Sequence, residues 1–403
     1  MATVTETLNH LLQRPNLRTG QKERHATWLE LFLDLVFVVV VAQLGHLLAQ
    51  DLSISRLLIF AGLYIPIWYA WFHHTLYADR FDTDNFSHRF LTFAFMISVA
   101  GLAANIHGIL SDTSTYFAAS MVAIKLIMIV LYQRCVHIEV ARPLANRLSS
   151  IFLISGLFWL VSIFVPTPWR FWLWGAAVFF EFAAVFHRST RMKYAVLPLT
   201  QSHVVERWGL FTIIVLGESV AATVNGASTV GFQIDTALIG ILGLLLIFAY
   251  WWIYFENTDG SALKGLGGWW PVVWLYSHLP LVMSLTALGV GLGHLISEGG
   301  NGPVSTATIA LICGALAVSF AAIGLTHVAV SGTKPESLNP RKARWRFATA
   351  FIVILVGFFV YIVEGSALLL IILLSLVSFV QVLGELFVLD EDRISRLDGL
   401  EEL

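Results

Sequence analysis

Charge is what this chain has least of. Only 12% of its 403 residues are Asp, Glu, Lys or Arg, against roughly 25% in soluble domains, so water is not its main solvent. Cysteine is nearly missing as well. Cys135 and Cys313 are the two present, both in or near apolar stretches, and they provide no disulfide framework. A basic face is absent and the net charge is −2, which excludes nucleic acid as a partner. The chain has no GxSxG, no P-loop, no HExxH and no GxGxxG ahead of a helix, so the common hydrolase, NTPase, zinc-protease and dinucleotide signatures are all lacking. Gly289-Val290-Gly291-Leu292-Gly293 reads as small-residue packing inside a span, not as a phosphate cradle. The period-2 alternation of an outer-membrane barrel is absent too.

Long apolar runs are abundant. Hydrophobic residues make up 57% of the chain, and its mean hydropathy is +0.78. A hydrocarbon core needs about 20 apolar residues per helix, and backbone groups in lipid must be satisfied within their own segment, which favours helices. Twelve spans are predicted, near 28–49, 56–78, 88–110, 115–137, 147–165, 169–187, 207–226, 235–255, 271–296, 304–330, 345–363 and 366–388. Turn residues such as Pro166-Thr167-Pro168 and Gly299-Gly300-Asn301-Gly302-Pro303 fill the breaks. Residues 1–27 are polar and lack the apolar core of a cleavable signal, so the span from Trp28 is expected to stay in the mature protein.

Lys and Arg placement orients the spans. With the N-terminus in the cytoplasm, 21 of the 24 fall on the inner side. Only Arg56 and Arg170 fall outside, and Lys125 falls within a span. The expectation is a multi-pass protein of the cytoplasmic membrane with both termini cytoplasmic.

An internal repeat is also expected. Ser87-His88 recurs as Ser277-His278, Gly101 as Gly291, and His137 as His327, each displaced by 190 positions. Glu23-Arg24 matches Glu206-Arg207, Thr83-Asp84 matches Thr258-Asp259, and Glu181 matches Glu385 at shifted spacings. The predicted architecture is an all-α polytopic membrane protein of two parallel six-helix repeats. A tail over 1–27 precedes repeats at 28–195 and 196–390, and a second tail covers 391–403. Six spans per copy give both copies one orientation, with a working site expected where they meet.

Ionisable groups at membrane depth are expensive and usually face a bundle interior. Glu30 and Asp34 lie four apart on one helical face. They fit a cation or proton site, or else a structural network with Arg24 or Arg80. Glu218 falls near mid-bilayer and reads as a proton relay, a substrate contact or a hydrogen-bonded strut. Lys125 needs a carboxylate partner, with Glu218, Asp34 and Glu181 as candidates, or else must lose its proton. His88 and His278 gain interest from recurring. The segment 79–85 holds Asp82 and Asp84 and has the composition of a cation loop. It lacks the glycine and glutamate of an EF-hand and reads equally as a hydrated loop with Asp84 or Asn85 capping the next helix. The Trp-rich stretches 68–72 and 250–254, with Trp269 and Trp270, read as an interfacial belt.

Three strings carry a family resemblance. They are Arg24-His25-Ala26-Thr27-Trp28-Leu29-Glu30-Leu31-Phe32-Leu33-Asp34, then Arg80-Phe81-Asp82-Thr83-Asp84, and His203-Val204-Val205-Glu206-Arg207-Trp208 running on to Gly217-Glu218. With the twelve-span layout, the chain over about 20–390 resembles the bacterial low temperature requirement protein A family. The resemblance implies weight for Glu30, Asp34, Asp82, Asp84, Glu206, Arg207 and Glu218 as motif positions. The family is named for a growth phenotype in the cold, so it assigns these residues no chemistry.

The leading functional expectation is a proton-linked secondary transporter or permease. Its substrate- or proton-binding residues would be Glu30, Asp34, Asp82, Asp84, His88, Lys125, Glu206, Arg207, Glu218 and His278, with no metal. One rival is a membrane-embedded enzyme with an acidic and histidine site at the cytoplasmic face, using Asp82, Asp84, His88, Glu206, His278 and His327. Another is a non-catalytic sensor or assembly protein. The expected partners are the lipid bilayer and a small solute or ion. Cofactor content, coupling ion and oligomeric state have no signature in the chain.

Overall fold

The computed structural model describes residues 14–18, 24–82, 85–111, 113–230, 233–264, 268–299, 302–333 and 339–401, with side chains to residue 386. Among these are thirteen α-helices: α1 (Trp28–Ala49), α2 (Ile54–Arg80), α3 (Phe86–Ala104), α4 (Ser114–Gln133), α5 (Arg142–Ile163), α6 (Trp169–Phe186), α7 (Arg188–Val196), α8 (Gln201–Val230), α9 (Ile234–Phe255), α10 (Trp270–Ser297), α11 (Thr306–Ser331), α12 (Asn339–Ile362) and α13 (Ala367–Glu401). All but α7 are long and apolar enough to cross a membrane, which gives the twelve expected spans. Two-residue strands β1 (Asn16–Leu17) and β2 (Phe81–Asp82) pair antiparallel. The chain is an integral membrane protein.

Local chemistry sets the helix ends. Asn85 caps α3, its side-chain oxygen accepting from the His88 backbone N–H at 2.9 Å. Ser305 caps α11 in the same way through Thr308 N–H. Two spans end earlier than hydropathy predicts. α3 stops at Ala104 because Asn105 turns its amide back onto Gly101 O at 2.7 Å, and Thr113 Oγ1 then donates to Asn105 O at 2.6 Å. α4 stops at Gln133, which leaves His137 in an exposed turn against Arg134 O, whereas His327 is buried within α11. α7 was not anticipated. It is a short polar helix, and Arg191 at its middle lies 3.8 Å from the Trp269 ring centre.

The chain divides into two compact units. The first comprises Met1–Leu47, Ile54–Ile214 and Leu263–Pro271; the second comprises Leu48–Ser53, Val215–Ala262 and Val272–Leu403. In the first, α3, α4, α5 and α6 pack in succession. Lys125 on α4 reaches Glu181 on α6 at 2.5 Å, both side chains 3% exposed. Ser155 on α5 donates to the same carboxylate. Glu181 is thus the partner of Lys125, the two meeting beside α5, which packs on both α4 and α6.

In the second unit, α11 packs on α12 and α9 on α13. Small residues let α10 approach its neighbours closely. A methyl at Gly289 would fall 2.7 Å from Ser219 Cα, and one at Gly291 would fall 2.5 Å from Ile312 Cγ1. Ser219 seals the first contact by donating to Leu285 O at 2.9 Å. The glycine run is therefore packing, as its spacing suggested.

Two outcomes follow for thermal unfolding in detergent. Gly289→Val should lose about 1–3 kcal/mol by overpacking, while Gly175→Ala, which meets nothing within 4 Å, should stay within about 0.5 kcal/mol. Lys125→Met should lose about 3–5 kcal/mol by stranding the Glu181 charge, and adding Glu181→Leu should recover most of that loss. A double variant no better than Lys125→Met would refute the pairing.

Candidate functional site

The first unit gathers its ionisable residues where α1 begins, α2 ends and α8 begins. Glu30 is held locally first. Thr27 N–H and Thr27 Oγ1 donate to Glu30 Oε2 at 2.7 and 2.9 Å, and Glu30 N–H donates back to Thr27 Oγ1 at 3.3 Å. This is a capping box, which satisfies the open N–H groups of the first turn and fixes the carboxylate. Arg24 Nη2 then donates to Glu30 Oε1 at 2.7 Å, and its Nη1 donates to Ala78 O at 2.9 Å. Burial pulls the Arg24 guanidinium below its usual pKa, with Glu30 working in the opposite direction.

Asp34 lies one turn further along α1 and is fully buried. Arg207 on α8 grips it with two parallel bonds, Nη1 to Oδ2 at 2.7 Å and Nη2 to Oδ1 at 2.8 Å. Trp71 Nε1 on α2 donates to Oδ1 at 2.7 Å. Arg207 is also fully buried, and its Nη2 lies 3.4 Å from Thr75 Oγ1.

His203 occupies the level of Glu30. Its Nδ1 is 2.9 Å from Asp79 Oδ1 and 3.0 Å from Arg24 Nη1, and its Nε2 is 3.3 Å from Glu30 Oε1. Asp79 Oδ2 accepts from Thr200 N–H at 3.0 Å, which sets a carboxylate at the positive end of α8. Arg80 stands apart from these carboxylates. It donates to Leu197 O and Leu76 O and lies over the Tyr194 ring.

The geometry is a ladder of two rungs. Glu30 and Asp34 are four apart on α1, His203 and Arg207 are four apart on α8, and Trp71, Thr75 and Asp79 take the same step along α2. One helical turn, about 6 Å by the rise per residue, separates the level of Glu30, His203 and Asp79 from that of Asp34, Arg207, Thr75 and Trp71. Arg24 Nε and Arg207 Nε have no hydrogen-bond partner, so the network still has donors in hand. Near the first rung is a cleft of about 760 Å³ lined by Arg24 and Glu30 with Arg18, Trp28, His88 and Arg89.

The expected site residues divide into those on the ladder and those elsewhere. Glu30, Asp34 and Arg207 are on it. Glu206 faces outward instead, and exposed His25 Nδ1 lies 3.2 Å from its Oε2. His88 lines the cleft, with Thr92 Oγ1 3.5 Å from its Nε2. Lys125 belongs to the Glu181 pair. Asp82 contributes its backbone to β2 pairing with Asn16, while its side chain, like the whole of Asp84, lies outside the described residues. Glu218 and His278 belong to the second unit. Glu218 is half-buried. His278 is enclosed between Trp274 O and Tyr254 OH at 2.8 and 3.1 Å.

The ladder adds Trp71, Thr75, Asp79 and His203 to the expected set. A four-residue period of polar side chains on α2 was the available signal for the first three. The belt reading of that stretch needs correction, since Trp68 and Trp71 are buried at 1% and 0% while Trp269 and Trp270 are exposed. Both indoles serve as core, and Trp71 serves as a donor as well. Among the described residues no three His, Cys, Asp or Glu side chains are placed to share a metal ion. Cys135 is buried, and burial pushes its thiol up to about 12, which keeps it protonated and unreactive near neutral pH.

The family model described as bacterial low temperature requirement A protein (LtrA) matches residues 25–383. An uncharacterized protein of Rhizobium meliloti (strain 1021) is 27% identical over 311 residues, which cover 72% of this chain and 73% of that one. Both rungs of the ladder fall inside the matched span, and with nearly the whole length aligned, the chain belongs to the bacterial low temperature requirement A family.

Proposed function

We propose that this protein is a proton-linked permease of the cytoplasmic membrane, with the two-rung ladder as its coupling site. One observation carries the reading: an imidazole buried between two carboxylates, Glu30 and Asp79, one turn from a fully buried Asp34–Arg207 pair. Such groups are costly at membrane depth and are the usual material of proton relays. Buried ion pairs are also poor sources of stability, so a purely structural role explains their concentration less well. His203 can exchange a proton with either flanking carboxylate. Glu30 borders the open cleft, which gives water a route to the first rung.

The topology we propose places both termini and the cleft on the cytoplasmic side, from the distribution of 21 of the 24 Lys and Arg residues. We also propose two six-helix repeats, 28–195 and 196–390, that move against one another in transport. Each compact unit has a buried carboxylate paired with a cation, Glu181 with Lys125 and Glu385 with Arg346; the two carboxylates hold corresponding places in spans six and twelve, which supports the duplication, although their cations come from spans that do not correspond. Glu218 is kept as a second candidate for carrying protons.

The test is uptake of labelled inorganic phosphate, amino acids, sugars and polyamines into proteoliposomes under an inward proton gradient. Wild-type protein should accumulate at least one of them. Asp34→Asn should lower that uptake at least tenfold and flatten its pH dependence. Uptake untouched by Asp34→Asn, Glu30→Gln and Glu218→Gln would place coupling elsewhere. A gradient that drives no solute would contradict the permease.

A further inference from the structure

A second concavity lies in the first unit, away from the ladder. It is bounded by the early part of α2, the turn after α3, the end of α5 and the first half of α6. Its volume is about 630 Å³, within the roughly 300–1,000 Å³ of sites that bury small molecules. Among the described residues, none that line it is charged. α2 and α6 give it its shape. Tyr69 and Phe182 stack with ring centres 4.7 Å apart, where the two helices meet. Gly62 and Gly175 each precede that stack by seven residues (69−62, 182−175), two turns back on the same helical faces. A methyl at either glycine would meet nothing within 4 Å. Beyond the stack, the gap between the helices is thus open on both sides. Gly62 precedes Thr75 of the ladder by thirteen residues of α2, about 20 Å along the axis.

The lining combines aromatic rings with one backbone acceptor. Buried Trp159 and Trp174 contribute rings whose centres are 5.1 Å apart, and Phe171 meets Trp174 edge-on. Phe179, which is 75% exposed, opens the crevice toward the membrane. Pro66 lines it from within α2. Proline has no N–H, so the carbonyl of Gly62, four residues earlier, lacks its helical donor. Gly62 is on the exposed side of α2, and a backbone acceptor left open in hydrocarbon is costly. Phospholipid tails cannot answer it, because acyl chains and their ester links hold no hydrogen-bond donor. Arg56 is the last charged residue before the apolar part of α2. Gly62 lies six residues further on, about 9 Å along the axis, which puts its carbonyl deeper than charged headgroups reach. What fits is a neutral molecule that brings its own donor to this depth.

We propose that this crevice binds a neutral phenol bearing a hydrocarbon tail, its hydroxyl donating to the Gly62 carbonyl and its ring lying against Trp159 and Trp174. The tail leaves past Phe179 into the lipid. A phenol meets both demands of the site. It carries the donor that the carbonyl lacks, and its ring makes the offset and edge contacts with indoles that an alkyl chain does not make. The proposal concerns binding alone and does not rest on the permease reading.

Binding of radiolabelled 4-heptylphenol to the full chain in nanodiscs tests this, with partition into empty nanodiscs subtracted. Binding to wild-type protein should saturate. Two competitors, 4-heptylanisole, which has no donor, and 1-decanol, which has no ring, should each compete roughly tenfold more weakly than unlabelled phenol. Pro66→Ala gives α2 back the missing N–H, so there the anisole should compete as well as the phenol. Gly175→Leu fills the crevice and should abolish saturable binding. Gly314→Leu, at a glycine of the second unit whose added methyl also meets nothing within 4 Å, should preserve it. Binding that never saturates, or equal competition by the anisole or the decanol on wild-type protein, would overturn the proposal. So would a phenol preference that survives Pro66→Ala, or full binding to Gly175→Leu. Photo-crosslinking of a diazirine-bearing alkylphenol to wild-type protein decides independently of how the variants fold. Label on peptides holding Ile59 to Pro66 or Phe171 to Phe182 supports the site, and label confined to other peptides refutes it.

Discussion

The bidentate bond from Arg207 to Asp34 sets the terms on which α1, α2 and α8 meet. Both side chains have no exposure, so neither charge has water to fall back on. Each is tolerable only because the other is there and because Trp71 supplies a further donor. The pairing also fixes register. Once residue 34 faces residue 207, the four-residue step on each helix brings Glu30 to His203 without further choice. α2 runs past both levels, and its Thr75 and Asp79 meet Arg207 and His203 in turn.

This constraint explains why two distant strings in the chain carry so many polar residues. The string from Arg24 to Asp34 supplies the capping box and two carboxylates. The string from His203 to Arg207 supplies the imidazole and the guanidinium. They are separated by some 170 positions and become one object only in three dimensions. A structural contribution and a functional one are compatible here. The same pair that locks the helices is costly to bury, and it lies one turn from an imidazole next to an open cleft.

The sequence displays the spans because their signal is additive. Some twenty apolar residues in a row outweigh any single side chain. Span ends are harder to read, since they depend on individual bonds such as Asn105 to Gly101 O, which hydropathy does not register. α7 escaped for the same reason, being too short and polar to leave an apolar run. At the site, the shared face of Glu30 and Asp34 is legible because helical spacing is local. Their partners are not, since no local rule points from residue 34 to residue 207. Trp71 misled because an indole suits an interface and a core equally well. The partner of Lys125 was one of three carboxylates in the sequence, and the packing of α5 on both α4 and α6 selects Glu181.

A double-mutant cycle on Asp34 and Arg207, read by unfolding of the full chain in detergent, examines the ladder at its foundation. If the two charges depend on one another as described, Asp34→Asn and Arg207→Gln should each be strongly destabilising. The double variant should then lose less than their sum by about 1–3 kcal/mol. Losses that simply add would contradict the account, because they would mean that the two buried charges do not depend on one another.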